Sequence, residues 1–289
     1  MRRHTSRTHA SGRSAKLFSM SSSGPFLILG CGYTGRRAAR RLLTRGFEVW
    51  ATARGSLELP GVRVVPFDLD NRQSIEELGR LVPSGIAVLH SVPVLPGPAE
   101  ATRAILHALG SKPRRIVYLS TTGVYGAKCE VDEHTPPAPL TESSRLRVQA
   151  EQLVLQGRWS GMVLRPAAIY GPGRGAHVSI PRGTFHLAGD GMNFVSRIHV
   201  DDLAALAEAA LLTNVTGGWP VADEEPARSR EMAEFVCDLL SCPMPQSIAM
   251  EELHETRRAD RRVDGRAVCR LLDVRLQYPS YRVGIPASL

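Results

Sequence analysis

The sequence predicts an α/β fold, a doubly wound parallel sheet followed by a smaller C-terminal lobe, and three features predict it. From Pro25 onward short apolar runs alternate with stretches of helical period, the pattern of successive βαβ units. Several of those runs show no polar alternation, as strands covered on both faces should. The chain of 289 residues is 43% hydrophobic and 22% charged, so it can bury a large core and is neither disordered nor fibrous.

The first 23 residues, MRRHTSRTHASGRSAKLFSMSSS, are rich in Arg and Ser and lack acids. They resemble an organelle transit peptide more than a secretory signal, and equally suit a disordered tail or a true start at Met20. The expected dinucleotide-binding domain covers residues 24–166. Strands are expected at Phe26–Leu29, Glu48–Thr52, Val62–Phe67, Ile86–Leu89, Ile116–Leu119 and Met162–Leu164, where β-rich runs stand between turn signals. Crossover helices are expected at Gly35–Arg45, Arg72–Leu81, Glu100–Leu109 and Glu142–Leu155. Right-handed crossovers then place a ligand crevice at the strand carboxyl ends. After Arg165, Gly and Pro punctuation introduces the smaller lobe, residues 167–289, with helices at Asp202–Leu212 and Arg228–Leu240.

Charge and cysteine usage narrow the partners. The net charge of +8 includes Arg2, Arg3, Arg7, Arg13 and Lys16, and without those five the body carries +3. A body so mildly basic gives no reason to expect nucleic acid. The uncharged stretch Leu81–Ala99 approaches the length of a membrane span, but Pro83, Pro93, Pro96 and Pro98 break any such helix, so no membrane segment is expected. Five scattered cysteines without a C-x-x-C pair suggest a reducing compartment and no metal site. The cytoplasm is the expected location, unless residues 1–19 act as a transit peptide.

The segment FLILGCGYTGRRAARRLL sets Gly30, Gly32 and Gly35 between an apolar strand and a helix. Gly30 allows the tight turn, Gly32 lets the backbone approach a pyrophosphate, and Gly35 lets helix and strand pack closely, which is the Rossmann arrangement. Cys31, Tyr33 and Thr34 complete the loop. Cys31 sits where a helix N-terminus can lower a thiol pKa, although packing under the turn is the simpler role.

The second strand ends Thr52-Ala53-Arg54 without the carboxylate that grips ribose hydroxyls in NAD enzymes. Arg54 can pair a 2′-phosphate, so NADP is expected in preference to NAD; the alternative is an exposed loop arginine. Asp68 and Leu69, after the third strand, lie where the adenine edge would sit, and Asp68 can equally serve a turn with Asp70 and Asn71. Ser91 after the fourth strand and Ser120 after the fifth complete the expected cofactor contacts.

The runs YLSTTGVYG (Tyr118–Gly126), LRPAAIYGPG (Leu164–Gly173) and RIHVDDLA (Arg197–Ala204), with Ala150-Glu151 closing a helix, resemble the extended and atypical short-chain dehydrogenase/reductases. The resemblance is to the NAD-dependent epimerase/dehydratase branch and its YeeZ-like members, over about residues 25–289. In such relatives a Ser or Thr after the fifth strand and a Tyr-x-x-x-Lys on the next helix handle the proton while the nicotinamide exchanges hydride. The resemblance puts Thr121 at the hydroxyl position, Ser143 at the tyrosine position and Arg147 at the lysine position. Serine is too weak an acid and arginine stays protonated, so the usual relay cannot operate. Arg147 can still hold the nicotinamide ribose. Tyr125 is the nearest substitute phenol, with packing at the strand end as its alternative.

Tyr170 and Arg197 are the expected substrate contacts. Relatives acting on nucleotide sugars usually carry an arginine four residues before the histidine of the IHV run, where this chain has Val195, and Arg197 should point to the other face. Asp201-Asp202 reads as helix capping, His199 as a hydrogen-bonded histidine, and the arginine-rich run Arg257–Arg270 as a solvated helical face. The expected function is an NAD(P)-dependent oxidoreductase or epimerase/dehydratase-like enzyme. Its substrate would be a small hydroxyl or carbonyl compound or one resembling a sugar nucleotide, and a homodimer is compatible. The alternative is a non-catalytic dinucleotide sensor.

Overall fold

The computed structural model describes residues 24–92, 100–253 and 258–289. The N-terminal tail, residues 93–99 of the uncharged stretch and Arg257 therefore lie outside the described residues. Seven parallel strands form the central sheet: β1 (Phe26–Leu29), β2 (Val49–Ala53), β3 (Val62–Pro66), β4 (Ile86–His90), β5 (Pro113–Leu119), β6 (Ser160–Pro166) and β7 (Gly217–Val221). Their order is β7-β6-β5-β4-β1-β2-β3. The order reverses between β1 and β4, which opens the crevice there.

Side-chain alternation divides the core into two layers. Phe26 and Ile28 of β1 face one cluster, with Ala38 and Leu42 from α1 (Tyr33–Thr44). Leu27 and Leu29 face the other, with Ile75 and Leu78 from α2 (Arg72–Leu81), Ile105 from α3 (Glu100–Leu109), and Ala150 and Val154 from α4 (Glu142–Leu155). Local sequence fixes the helix starts. The Asn71 side chain accepts from the amides of Gln73 and Ser74 to begin α2, and Thr141 and Ser144 cap α4 reciprocally.

Two long helices follow, α5 (Val200–Leu211) and α6 (Ser229–Leu240). Leu203, Leu206 and Ala207 of α5 join the layer over α1. Ion pairs lock α5 to α1, with Arg37 to Asp201 at 2.8 Å and Arg41 to Glu208 at 2.6 Å. The smaller lobe gathers Ile180, Leu187, Met232, Val236, Tyr281 and Ile285 around α6.

Two expectations are corrected. The sheet takes its last strand from beyond residue 166, because β7 returns to pair with β6. Pro220 is tolerated in β7 because β7 is an edge strand. The arginine-rich run is helical only over Arg266–Leu271. Ahead of it, Arg262–Val263 pairs with Glu130–Val131, and buried Arg261 donates to the carbonyls of Thr122, Gly126 and Lys128. A guanidinium with five donors can clamp such a turn from inside, so this residue is not on a solvated face.

Candidate functional site

The carboxyl ends of the strands bring the predicted residues to one side of the sheet. Gly30 turns with φ +88°, and a Cβ there would lie 3.1 Å from the backbone carbon of Ser91. That contact joins the end of β1 to the end of β4. Gly30 also donates to the Thr52 hydroxyl at 2.8 Å, and Cys31 to the Thr52 carbonyl at 3.2 Å, so β2 fixes the loop from the other side. A Cβ on Gly35 would stand 2.6 Å from the Gly30 carbonyl oxygen, which only glycine avoids.

Gly32 differs from both. A Cβ there would meet nothing within 4 Å. Gly32 is the N-cap of α1, with no side-chain cap and no acid in the first turn. Backbone amides at Tyr33, Thr34 and Gly35 therefore open the helix toward free space, which suits a pyrophosphate. The loop fits a dinucleotide on its own geometry. Cys31 is buried, and burial pushes its thiol pKa up, so it packs under the turn. Tyr33 donates to the Pro172 carbonyl at 3.1 Å and bridges the loop to the lobe.

At the adenine end Arg54 is exposed just beyond β2. Asp68 is exposed, and one carboxylate oxygen accepts from the Asp70 amide at 3.2 Å, the turn role foreseen as its alternative. Leu69 packs against the α2–α3 layer.

Beyond β5, Thr121 is half-buried and its hydroxyl oxygen accepts from the Gly123 amide at 3.2 Å. Its proton stays available for a substrate oxygen. Ser120 turns inward and donates to Glu151 at 2.5 Å. Glu151 pairs with Arg165 at 2.7 Å, and Arg165 donates to the Tyr125 hydroxyl at 3.1 Å. Tyr125 has no exposed surface, and burial raises its pKa against the pull of Arg165. This conformation keeps the phenol inside the protein, away from the crevice.

Sequence reading missed that network. Its signals were an arginine inside the apolar run MVLRP and an acid on the buried side of α4. Ser143 and Arg147 both lie half-buried on α4.

The expected substrate residues lie deeper in the lobe. Tyr170 donates to the Ser280 carbonyl at 3.2 Å. Arg197 is buried, donates to the Val195 carbonyl at 2.7 Å and stands over the Tyr281 ring. His199 accepts from the Asp201 amide, lies 3.2 Å from the Ser288 hydroxyl and stacks on Tyr278. Burial lowers its pKa to about 4, so it is a neutral, hydrogen-bonded residue. Asp201 and Asp202 occupy the first turn of α5 but do more than complement its dipole: Asp202 accepts from the amides of Gln277 and Tyr278 at 2.8 and 2.9 Å. Among the described residues, no cluster of three or more His, Cys, Asp or Glu is placed to hold a metal. None of their helices is long and apolar enough to cross a membrane.

A glycine loop at the sheet's switch point, with a threonine hydroxyl beyond β5, defines a Rossmann-fold protein of the short-chain dehydrogenase/reductase type. Residues 26–220 match the model of the NAD-dependent epimerase/dehydratase family, and the chain belongs to that family. It is 32% identical over 178 residues to protein YeeZ of Escherichia coli K12, covering 60% of this chain and 61% of YeeZ. It is 31% identical over 110 residues to a 3-diazoavenalumate denitrifying reductase of a Streptomyces species, covering 36% of each. The match thus spans about a third to three fifths of these curated relatives.

Among solved structures, a conserved protein of unknown function from Silicibacter pomeroyi superposes with a TM-score of 0.75 at 29% identity, over 92% of this chain and 98% of that one. The Bordetella bronchiseptica enzyme WbmG, in complex with NAD and UDP, shares the fold with a TM-score of 0.75 at 17% identity, over 91% and 93% of the two chains.

Proposed function

We propose that this protein is an NADP-preferring oxidoreductase or epimerase-like enzyme of the family, working without the Tyr-x-x-x-Lys pair. The observation that carries the reading is the open Gly32 cradle at the start of α1. Tyr33, Thr34 and Gly35 would hold the paired phosphates through their amides, and Arg54 would meet a 2′-phosphate. A bound nicotinamide supplies hydride exchange at a carbinol or carbonyl carbon.

The residues of this chain do the rest. Thr121 donates to the substrate oxygen and stabilises negative charge as it develops there. Arg147 would offer its guanidinium donors to the ribose hydroxyls. With Tyr125 enclosed, the chain offers no phenol to the reacting oxygen, and the proton is exchanged with water in the crevice while Thr121 only hydrogen-bonds the substrate oxygen. The substrate is a small hydroxyl or carbonyl compound. A sugar-nucleotide substrate finds less support, since Val195 replaces the diphosphate-gripping arginine and Arg197 is turned inward.

Calorimetry with NAD, NADH, NADP and NADPH, followed by NADPH oxidation with a panel of carbonyl compounds, tests this reading. NADPH should bind more tightly than NADH, and a Thr121→Val variant should keep that affinity while losing turnover. Absence of heat with all four forms would overturn the reading. The observations favouring the second reading, a dinucleotide sensor, are that residue 143 is a serine and that Tyr125 is fully enclosed. Tight binding with no turnover on any carbonyl would select it.

A further inference from the structure

Helix α6 of the smaller lobe ends on a cap that brings two thiols together. Ser241 follows Leu240 with a left-handed backbone, φ 51° and ψ 46°. The amides of both Ser241 and Cys242 return to the carbonyl of Cys237, the second at 3.1 Å. This is the 6→1 closure of a Schellman-type cap, in which the residue after the left-handed one packs against the helix residue five before it. Here both of those residues are cysteines, and both are free thiols.

The spacing suits a disulfide. With the Cys242 amide 3.1 Å from the Cys237 carbonyl oxygen, standard bond lengths keep the two α-carbons within about 7 Å even if the atoms between them were collinear. Disulfides join α-carbons roughly 4.4–6.8 Å apart. The Cys237 thiol points at the turn, donating to the Pro243 carbonyl at 3.4 Å. Cys237 lies in the lobe core with Met232 and Val236, and Cys242 packs on the margin of that core. Access distinguishes the two. Cys237 is buried, and burial, followed by its hydrogen bond with Cys242, pushes its thiol pKa up to about 11. Cys242 is half-buried and reaches solvent.

We propose that Cys237 and Cys242 are a redox-active dithiol that exchanges with small disulfides of the glutathione type. The thiolate of Cys242, the accessible sulfur, attacks one sulfur of the incoming disulfide and expels one small thiol, leaving a mixed disulfide. Cys237 then gives up its proton, and its sulfur attacks Cys242 Sγ, forming the bond between the two cysteines and releasing the second small thiol. Two protein thiols are oxidised, one small disulfide is reduced, and both protons leave on the two small thiols. The segment after Cys242 enters Ser247–Ile248, which pairs with Leu187–Ala188 beside the same core. Oxidation thus adds a covalent link between the central helix of the lobe and the chain leading to that strand pair.

The test treats folded wild type, Cys237→Ser and Cys242→Ser with oxidised glutathione, blocks the remaining thiols by alkylation and reads tryptic peptides by mass spectrometry. Both cysteines lie in one such peptide, Glu231–Arg257, and exposed Cys129 is the internal control for reagent. In wild type that peptide should be lighter by two hydrogens, unalkylated and free of glutathione, and excess reduced glutathione should return it to the dithiol. Cys237→Ser should stop at a stable glutathione adduct on Cys242. Cys242→Ser should react about tenfold more slowly than Cys237→Ser, because only the enclosed sulfur remains. A glutathione adduct persisting on wild-type Cys242, a peptide that stays fully alkylated, or a bond that reduced glutathione does not open would each overturn the proposal. Should a serine variant fail to fold, as judged by thermal melting, the wild-type peptide alone decides among these outcomes.

Discussion

Glu151 on α4 and Arg165 on β6 form a buried ion pair at 2.7 Å, with side chains only 2% and 8% exposed. Ser120 and Tyr125 satisfy the remaining oxygen and nitrogen, so the helix carrying Ser143 and Arg147 is tied to the sheet at one point. Removing one partner leaves an uncompensated charge in the interior. Glu151→Gln should lower the unfolding free energy by about 3 kcal/mol, read from urea denaturation. Joining Glu151→Leu to Arg165→Met should recover most of that loss, because neither charge then remains buried.

The loop glycines separate binding from stability. Gly32→Ala places a methyl in open space and should leave the melting temperature unchanged, while weakening dinucleotide binding at least tenfold in calorimetry. Gly35→Ala forces its Cβ to 2.6 Å from the Gly30 carbonyl oxygen and should lose about 1–3 kcal/mol of stability as well as affinity.

Cofactor choice is expected to follow Arg54. Arg54→Ala should weaken NADPH about tenfold, the effect of one charge-assisted phosphate contact, and leave NADH unchanged. Equal loss for both cofactors would remove Arg54 from the 2′-phosphate role.

Three buried groups set the pH dependence of stability. His90 and His199 have folded pKa values lowered to about 4 from 6.5. Between those values the unfolded chain binds the extra protons, so their contribution falls away as pH drops from 6.5 toward 4. Asp223 has the opposite sign: burial raises its pKa from 3.8 to about 8, the folded state holds the extra proton, and stability declines as pH rises across that interval. Denaturant titrations should show a flatter acid limb in His90→Gln and a flatter neutral-to-alkaline limb in Asp223→Asn.

The sequence disclosed the strands and helices of the central sheet better than the interior of the site. Arg72–Leu81, Glu100–Leu109 and Glu142–Leu155 stand where their helical period puts them, because that signal is local. β7 escaped notice since Gly217, Gly218 and Pro220 are legible as a strand only once β6 is known to leave an open edge. Gly30, Gly32 and Gly35 were readable because the turn, the open cradle and the close packing arise within one short segment. The enclosure of Tyr125 was not readable, since Arg165 and Glu151 reach it from separate elements. Arg261 was misjudged for the same reason: its three carbonyl partners lie more than a hundred residues upstream.

Adjacent carboxylates at the head of α5 reach in different directions, Asp201 to Arg37 beside the glycine loop and Asp202 to the backbone at Gln277 and Tyr278. The backbone at Gln277–Tyr278 is thereby anchored to the same helix that braces the opening βα unit. Loss of the Asp202 carboxylate would therefore release the Gln277–Tyr278 backbone from the helix whose Asp201 and Glu208 hold α1.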